Sequence, residues 1–527
     1  MRRLAFLFSA LPLSLHAAPD GAALYQQTCS MCHGLEGQGV AGVFPPLAKS
    51  DFLTKHREQA LRAPMEGLSG AIEVNGTAYH GAMPPAILDD DQLAAVFNHI
   101  FTSWNNMVAT TSADELCKLR AGTRYPTFPD LKRSMAGENL PDAPEGWQLT
   151  VGAKLSFSPT RIVVHPDGGQ VLALSPSGDV WSWKLGTSEV ERFIPAGDFI
   201  PNGRPDEGAM GMTVDSKGRL YIVCNKRDES VTPVLSRITI FRTGSWSEEK
   251  PWGAPQPWFR TTTPYGIGGY NHGVSHIAEG PDGMLYINSG ARTDSGEAGT
   301  DPRYSMAGED PHTAVIWRMN PDEEAPQSFE VYARGLRNSY GFCWDDQHRM
   351  LATENGPNAH APEELNLIEQ GRHYGFPFRY ADVDTKFYPH QPDPPAGLSI
   401  TLPFRNIGPD GGGSEKGLAT FDPHSCPTGL VWLDKDWPTP FAGSFLATRF
   451  GNMMQLDQDV GYDLLQLKVD FDQRTVSTKR VIHPLGRPVD IIKLPGHRLV
   501  IAEYTRATSS AAGMGTPGRL LMLQPAR

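Results

Sequence analysis

Three things are scarce or missing in this 527-residue chain. No run of basic residues occurs, and the formal net charge is -12. Gripping a polyanion needs clustered Lys and Arg, so no nucleic-acid partner is expected. An acidic surface instead favours solubility and steers the protein towards basic partners. Long apolar runs are also missing: nothing reaches the roughly 18 residues that a membrane-crossing helix needs. Cysteine is rare, with six in all. Cys29 and Cys32 fall together, while Cys117, Cys224, Cys343 and Cys426 are scattered singly, and sequence alone does not pair them. What is plentiful is glycine (54) and proline (45), in a chain of negative mean hydropathy. That composition suits a turn-rich, largely β protein, and the length calls for two or more domains.

The first residues read as a targeting segment over 1–18. Arg2 and Arg3 supply a positive start, Leu4 to Leu13 is apolar, and His16-Ala17-Ala18 offers small residues for cleavage. The apolar stretch is too short to cross a bilayer, so a cleaved secretory signal is expected and a periplasmic location with it. Directly behind it lies Cys29-Ser30-Met31-Cys32-His33. Two thiols at this spacing can join the two vinyl groups of one haem while the adjacent His33 ligates its iron, so covalent haem c is expected. No further Cys or His follows at the close spacing a zinc site requires.

The segment 19–120 reads as a small all-α cytochrome c domain. Its second axial ligand is expected to be Met83, because Gly81-Ala82-Met83-Pro84 resembles the G-x-M-P loop of small cytochromes c. Met65 and His80 are the alternatives. Apolar spacing predicts one helix over Asp20 to Thr28 and another from Asp89-Asp90-Asp91 through Ile100, the acidic residues favouring a helix start. Prolines thicken over 105–145 and deny a continuous helix, which places a linker at 121–145, with a short helix possible near Asp114 to Arg120.

From 146 to 527 a different pattern repeats. Ile162 to Leu174, Met212 to Val223, Ala278 to Ile287, Phe342 to Ala352 and Ile491 to Ile501 each read as strand, tight turn, strand. The unit returns roughly every 50 to 70 residues, with one longer gap before the last. Such repetition predicts an all-β, six-bladed β-propeller, whose chemistry belongs in loops at its central channel. Three loops are rich in glycine and polar groups: 268–276 with His272, 335–342 with Arg337 and Asn338, and 354–358 with Gly356 and Pro357. His272 is a candidate general base, because an imidazole titrates near neutrality. Carboxylates, amides and carbonyls in one loop suit Ca²⁺.

The order G-L-R-N (335–338), E-N-G-P-N (354–358), E-L-N-L-I (364–368) and G-x-x-Y-G-F-P (371–377) resembles the glucose/sorbosone dehydrogenase family, six-bladed quinoproteins that use pyrroloquinoline quinone (PQQ) and calcium. The resemblance implies roles. His272 corresponds to the catalytic base, and Arg337 and Asn338 to the pair that contacts the quinone carbonyls. Gly356 and Pro357 correspond to backbone calcium ligands, and Glu363 and Glu364 to acidic positions beyond a loop that is longer here. Arg449 stands where the family has a Lys that pairs with PQQ. Arg487 matches the first Arg of R-x-R-D, whose second Arg is Val489 in this chain. The implied activity is oxidation of a sugar or aldehyde, with electrons passing from PQQ through the haem to an external acceptor such as another cytochrome. A propeller that only binds carbohydrate or protein is the competing reading. A third is a different cofactor ligated by His276, His360, His373 or His424.

Overall fold

The structure is a computed structural model that describes residues 20–40, 43–66, 68–69, 72–79, 82–83, 86, 88, 90–120, 140–201, 208–266, 271–297, 303–304, 308–359, 361–412, 420–451, 460–506 and 517–526. The expected signal segment 1–18, most of the linker, His80 and His360 lie outside them. The chain divides into two compact units, Met1–Phe128 and Pro129–Arg527.

In the first unit the expected helices form at Gly21–Thr28, Asp90–Thr102 and Ala113–Arg120, joined by Ser30–His33, Phe52–Lys55 and Arg57–Glu66. Asp20 caps the first of these, its Oδ1 accepting from the amides of Ala22 and Ala23 at 3.0 and 3.2 Å, which satisfies donors that no helix turn can reach. The helices Gly21–Thr28 and Asp90–Thr102 touch backbone to side at Gly21. A Cβ there would stand 2.0 Å from the carbonyl oxygen of Ala95, so only glycine lets them close. Beneath this crossing Tyr25 is fully buried, with its hydroxyl donating to the Gly34 carbonyl at 2.6 Å and its ring against Trp104 and His99. To these helices the structure adds two short antiparallel strand pairs, Leu68–Ser69 with Ala82–Met83 and Ile72–Val74 with Thr77–Tyr79.

The second unit is a six-bladed propeller. Blade 1 runs over Arg161–Val164 to Val190–Ile194, blade 2 over Gly208–Val214 to Gln256–Pro264, and blade 3 over Val274–Glu279 to Glu330–Arg334, each a four-stranded antiparallel meander. Blade 4 has three strands, Gly341–Trp344, Met350–Glu354 and Glu364–Ile368. The long segment after it returns as Arg405–Pro409, which pairs in parallel with the outer strand of blade 5. Blade 5 otherwise comprises Pro427–Leu433, Ser444–Arg449, Asp463–Asp470 and Thr475–Ile482. Blade 6 is built from both ends of the unit: Pro488–Leu494, Arg498–Glu503 and Arg519–Pro525, with Trp147–Lys154 as its outer strand. The ring is therefore closed by hydrogen bonds between the first and last strands of the propeller, leaving no open sheet end at the seam.

The core is divided by the same geometry. One apolar cluster fills each gap between neighbouring blades, from Leu172, Leu220 and Ile222 between blades 1 and 2 round to Ile162, Val171 and Val500 between blades 6 and 1. Innermost strands approach backbone to backbone around the shaft. A Cβ on Gly341 would lie 1.6 Å from the Thr428 carbonyl oxygen, and one on Gly211 would lie 1.9 Å from that of Ser275. Among the described residues Cys224, Cys343 and Cys426 are free thiols, and no helix is long and apolar enough to cross a membrane.

Candidate active site

In the first unit Cys29, Cys32 and His33 of the Cys-Ser-Met-Cys-His motif line an apolar cleft together with Pro45, Met83 and Phe97, among others. His33 is 6% exposed, and its Nδ1 lies 2.9 Å from the Pro45 carbonyl. Donation from Nδ1 fixes the tautomer and leaves Nε2 as the coordinating nitrogen. Burial lowers the pKa of this imidazole and the Pro45 carbonyl opposes that, with a net lowering that keeps the ring neutral, as iron ligation requires. Met83 lines the same cleft from the strand pair with Leu68–Ser69. Met65 is instead 3% exposed within the core. Apolar walls, two thiols, a neutral imidazole and a thioether fit a covalently held haem.

In the propeller the candidate residues share one face for a topological reason. Segments that precede an innermost strand and segments that follow the second strand open on the same end of the shaft. His272 precedes Val274–Glu279, Arg337 and Asn338 precede Gly341–Trp344, and Arg487 precedes Pro488–Leu494. Gly356 and Pro357 follow Met350–Glu354, and Arg449 ends Ser444–Arg449.

His272 and Asn338 are brought together. Both are half-buried, and a Cβ built on Gly290 would meet the His272 Cβ at 2.5 Å and the Asn338 Oδ1 at 3.4 Å, so glycine at 290 permits their approach. The His272 Nδ1 lies 3.1 Å from the Ala291 carbonyl, which leaves Nε2 as the basic atom. Asn338 Oδ1 accepts from Asn288 Nδ2 at 3.2 Å.

Arg337 is 3% exposed and already engaged. Its Nη2 pairs with Asp294 at 2.6 Å and its Nη1 donates to the Gly356 carbonyl at 2.6 Å. Asp294 also accepts from the Tyr388 hydroxyl at 2.5 Å and from the Asn358 amide at 3.1 Å. Sequence reasoning missed Asp294, because Ala291-Arg292-Thr293-Asp294-Ser295 matches no motif. Only the buried guanidinium in need of a partner could have pointed to it.

Arg487 is 4% exposed, with φ at +56°. Its guanidinium lies 5.1 Å from the Phe450 ring centre and 4.9 Å from that of Tyr462, and donates to the Tyr462 hydroxyl at 3.1 Å and to the Gly451 carbonyl at 3.3 Å.

The model of the family described as glucose/sorbosone dehydrogenase matches residues 159–503. The chain belongs to the glucose/sorbosone dehydrogenase family. A cytochrome c model matches residues 18–104, so this member of the family carries its own cytochrome c domain. Over 131 residues the chain is 40% identical to cytochrome c-552 of Thermus thermophilus, covering 23% of this chain and 88% of that one. Over 313 residues it is 29% identical to quinoprotein glucose dehydrogenase B of Acinetobacter calcoaceticus, covering 51% of this chain and 59% of that one. The soluble aldose sugar dehydrogenase of Escherichia coli, solved in its apo form, shares the propeller fold at a TM-score of 0.52 and 13% identity, over 72% of this chain and 100% of that one.

Two positions that the family resemblance assigns to the cofactor and its metal already have partners within the chain. Arg449 is wholly buried and held by the carboxylate of Asp463, with Nη2 to Oδ2 at 2.6 Å and Nε to Oδ1 at 2.9 Å, and by Asp422 at 3.3 Å. A buried cation with carboxylate partners of its own is held in place by them. The Gly356 carbonyl receives an N–H from Arg337 at 2.6 Å, which uses one of its two lone pairs. Pro357 is buried beside it. The lining fits a quinone carboxylate: the Arg487 guanidinium lies between two aromatic rings, and His272 and Asn338 lie on the same face. Of the other histidines considered, burial and then the Arg161 charge hold His276 well below the ordinary imidazole value, and burial and then Arg334 bring His373 to about 4. His424 is 7% exposed at a left-handed backbone position.

Three glutamates lie beneath the loop at Gly356. Burial pushes Glu363 up to about 8, against hydrogen bonds from Ser425 Oγ at 2.9 Å and the Cys426 amide at 2.7 Å. Burial raises Glu364 to about 7, and Glu354 is raised by burial and then by Glu364, with the Asn366 amide donating to both. A carboxyl that holds its proton in the fold but loses it near its usual ~4.3 when unfolded makes the folded state the better proton binder between those values. Stability should therefore fall as pH rises from about 5 towards 8. Thermal midpoints across that range will show the slope, and Glu363→Gln, which needs no proton, should flatten it; an unchanged slope would place the titration elsewhere.

Proposed function

We propose that this protein is a periplasmic quinohaemoprotein dehydrogenase that oxidises a sugar or an aldehyde of the aldose or sorbosone kind. The observation that carries this reading is the placement of His272 and Asn338 about Gly290 at the shaft mouth of a propeller from this family, in a chain that also holds the Cys29–His33 motif. The names of the relatives support it: quinoprotein glucose dehydrogenase B is similar in sequence, and aldose sugar dehydrogenase shares the propeller. A signal peptide over 1–18 and a linker over 121–145 complete the arrangement.

PQQ, when bound, supplies the hydride acceptor. In this chain Arg487 would pair with a carboxylate of the cofactor, with Phe450 and Tyr462 fixing the guanidinium in plane. Asn338 would hold a carbonyl oxygen of the cofactor near the His272 ring. His272 Nε2 removes the proton of the substrate hydroxyl as the carbon gives up its hydride, so the substrate loses two electrons and two hydrogens. Cys29 and Cys32 would hold haem c covalently and His33 and Met83 would ligate its iron, and the bound haem would supply a one-electron route to an external acceptor such as another cytochrome. One polypeptide keeps donor and haem at high effective concentration.

The test is reconstitution. The haem-loaded protein is mixed with PQQ, with and without Ca²⁺, then with aldoses and aldehydes in turn, and the reduced haem band is followed. Reduction that needs both PQQ and substrate is the expected result. Substrate-independent reduction, or none with any cofactor present, would end the quinoprotein reading and leave a binding propeller joined to a cytochrome.

A further inference from the structure

One cation in the shaft takes no part in the chemistry proposed above. Arg161 opens the innermost strand of blade 1 and is 1% exposed. Its Nη2 donates to the backbone carbonyl of Tyr340, and its guanidinium lies 4.0 Å from the centre of the Tyr340 ring. Tyr340 leads directly into the innermost strand of blade 4. In a ring of six, blades 1 and 4 are opposite, so a side chain that joins them crosses the axis. The link runs both ways, since the Tyr340 hydroxyl donates to the Thr160 carbonyl at 3.3 Å. A third blade steadies it. Asp490 of blade 6 stands 3.5 Å from Arg161 Nη1 and accepts the Ile162 amide at 3.0 Å.

The segment braced in this way is 337–340, which carries Asn338. Its opposite end is tied to blade 3, where the Arg337 carbonyl accepts the Ala291 amide at 2.7 Å. It is also tied to the loop after the second strand of blade 4, where the Asn338 carbonyl accepts the Asn355 amide at 3.1 Å. Ala291 is the same residue whose carbonyl meets His272 Nδ1. The spacing of His272 and Asn338 thus depends on a short stretch of chain anchored at one end beside His272 and at the other to the far wall of the shaft.

We infer that Arg161 is a positioning residue: by bracing Tyr340 across the shaft it sets where Asn338 stands relative to His272. The inference rests on the reading of that site as the place of quinone binding. A planar fork that both donates to a carbonyl and lies on a ring cannot be copied by an ammonium, so Lys should restore the charge without the geometry. Methionine fills the volume with neither.

Arg161→Met and Arg161→Lys are compared with Arg219→Met, which removes a cation paired with Asp215 in the turn at the other end of blade 2. Hydrogen exchange of peptides covering 337–340 is measured in haem-loaded, PQQ-free protein, together with the PQQ dissociation constant and the kcat and KM of each variant. Arg161→Met should speed exchange in 337–340 and weaken PQQ binding, each by about tenfold, and should lower kcat more than it raises KM. Arg161→Lys should fall between it and the wild type. Arg219→Met should lower the Tm without touching exchange at 337–340. Should Arg161→Met fail to fold, the comparison is read from Arg161→Lys. Unchanged exchange at 337–340 in the Arg161 variants, or an equal rise in Arg219→Met, would overturn the brace. Absence of PQQ binding by the wild type would instead sink the quinone reading, and the exchange comparison would still decide the role of Arg161.

Discussion

Replacing Cys29 and Cys32 together by alanine should abolish covalent haem completely, so that the denatured protein no longer carries a haem stain on a gel. The two thiols are half-buried at the mouth of the cleft and are the cysteines of the only C-x-x-C-H in the chain. Thioether bonds survive denaturation, whereas the iron ligation proposed for His33 and Met83 would end when the cleft opens. Each single variant should keep one thioether and still stain. The apolar cleft that the haem fills would lose its main packing partner, so the first unit should also melt earlier. Haem that stays attached in the double variant would mean that the attachment chemistry lies elsewhere.

His272→Ala should lower the rate of substrate-dependent haem reduction by about 10²- to 10⁴-fold, the usual contribution of a positioned general base. The haem spectrum and the Tm should hardly move, because His272 is half-buried and lies outside the inter-blade apolar clusters. The argument depends on the tautomer. With Nδ1 facing the Ala291 carbonyl at 3.1 Å, Nε2 carries the lone pair. Below the pKa of that nitrogen the base is lost, so the wild-type rate should fall at low pH while the residual rate of the variant stays flat. A variant rate within a factor of about two of the wild type would remove His272 from the proton step.

The legible parts of this molecule were those with strong local signals. Five of six blades announce themselves by a tight turn between the two inner strands, as at His165-Pro166-Asp167-Gly168 and Gly280-Pro281-Asp282-Gly283. Blade 5 does not. Its strands Pro427–Leu433 and Ser444–Arg449 are joined by ten residues containing Trp437, Pro438 and Pro440, so no tight turn marks it and the repeat shows its longer gap there. Blade 6 was half hidden for another reason, since its outer strand comes from residues far away in the chain and no local pattern reports a pairing at that range. In the cytochrome unit the capping Asp20 and the acidic start at Asp90 marked helix ends well, whereas two- and three-residue strands such as Leu68–Ser69 are too short for any periodicity to show. In the candidate site the motif residues were easy to find but their commitments were not. Arg449 reads as a cation available for a ligand, and only the fold reveals Asp463 opposite it on the neighbouring strand. Asp294 carries no motif at all, yet it gathers Arg337, Tyr388 and Asn358.

The seam in blade 6 bears on how the chain is made. Trp147–Lys154 emerges among the first elements of the propeller, but its partner Arg519–Pro525 is synthesised last. Until then the growing protein is an open arc with a lone unpaired strand at one end and an unfinished sheet at the other, the kind of exposed edge that invites aggregation. The cytochrome, lying upstream, can mature while the arc is still incomplete. Loss of even the final strand would therefore do more than trim the surface: it would leave a haem-loaded head on a ring that never locks, and such a product should be cleared by proteases rather than accumulate as a shortened enzyme.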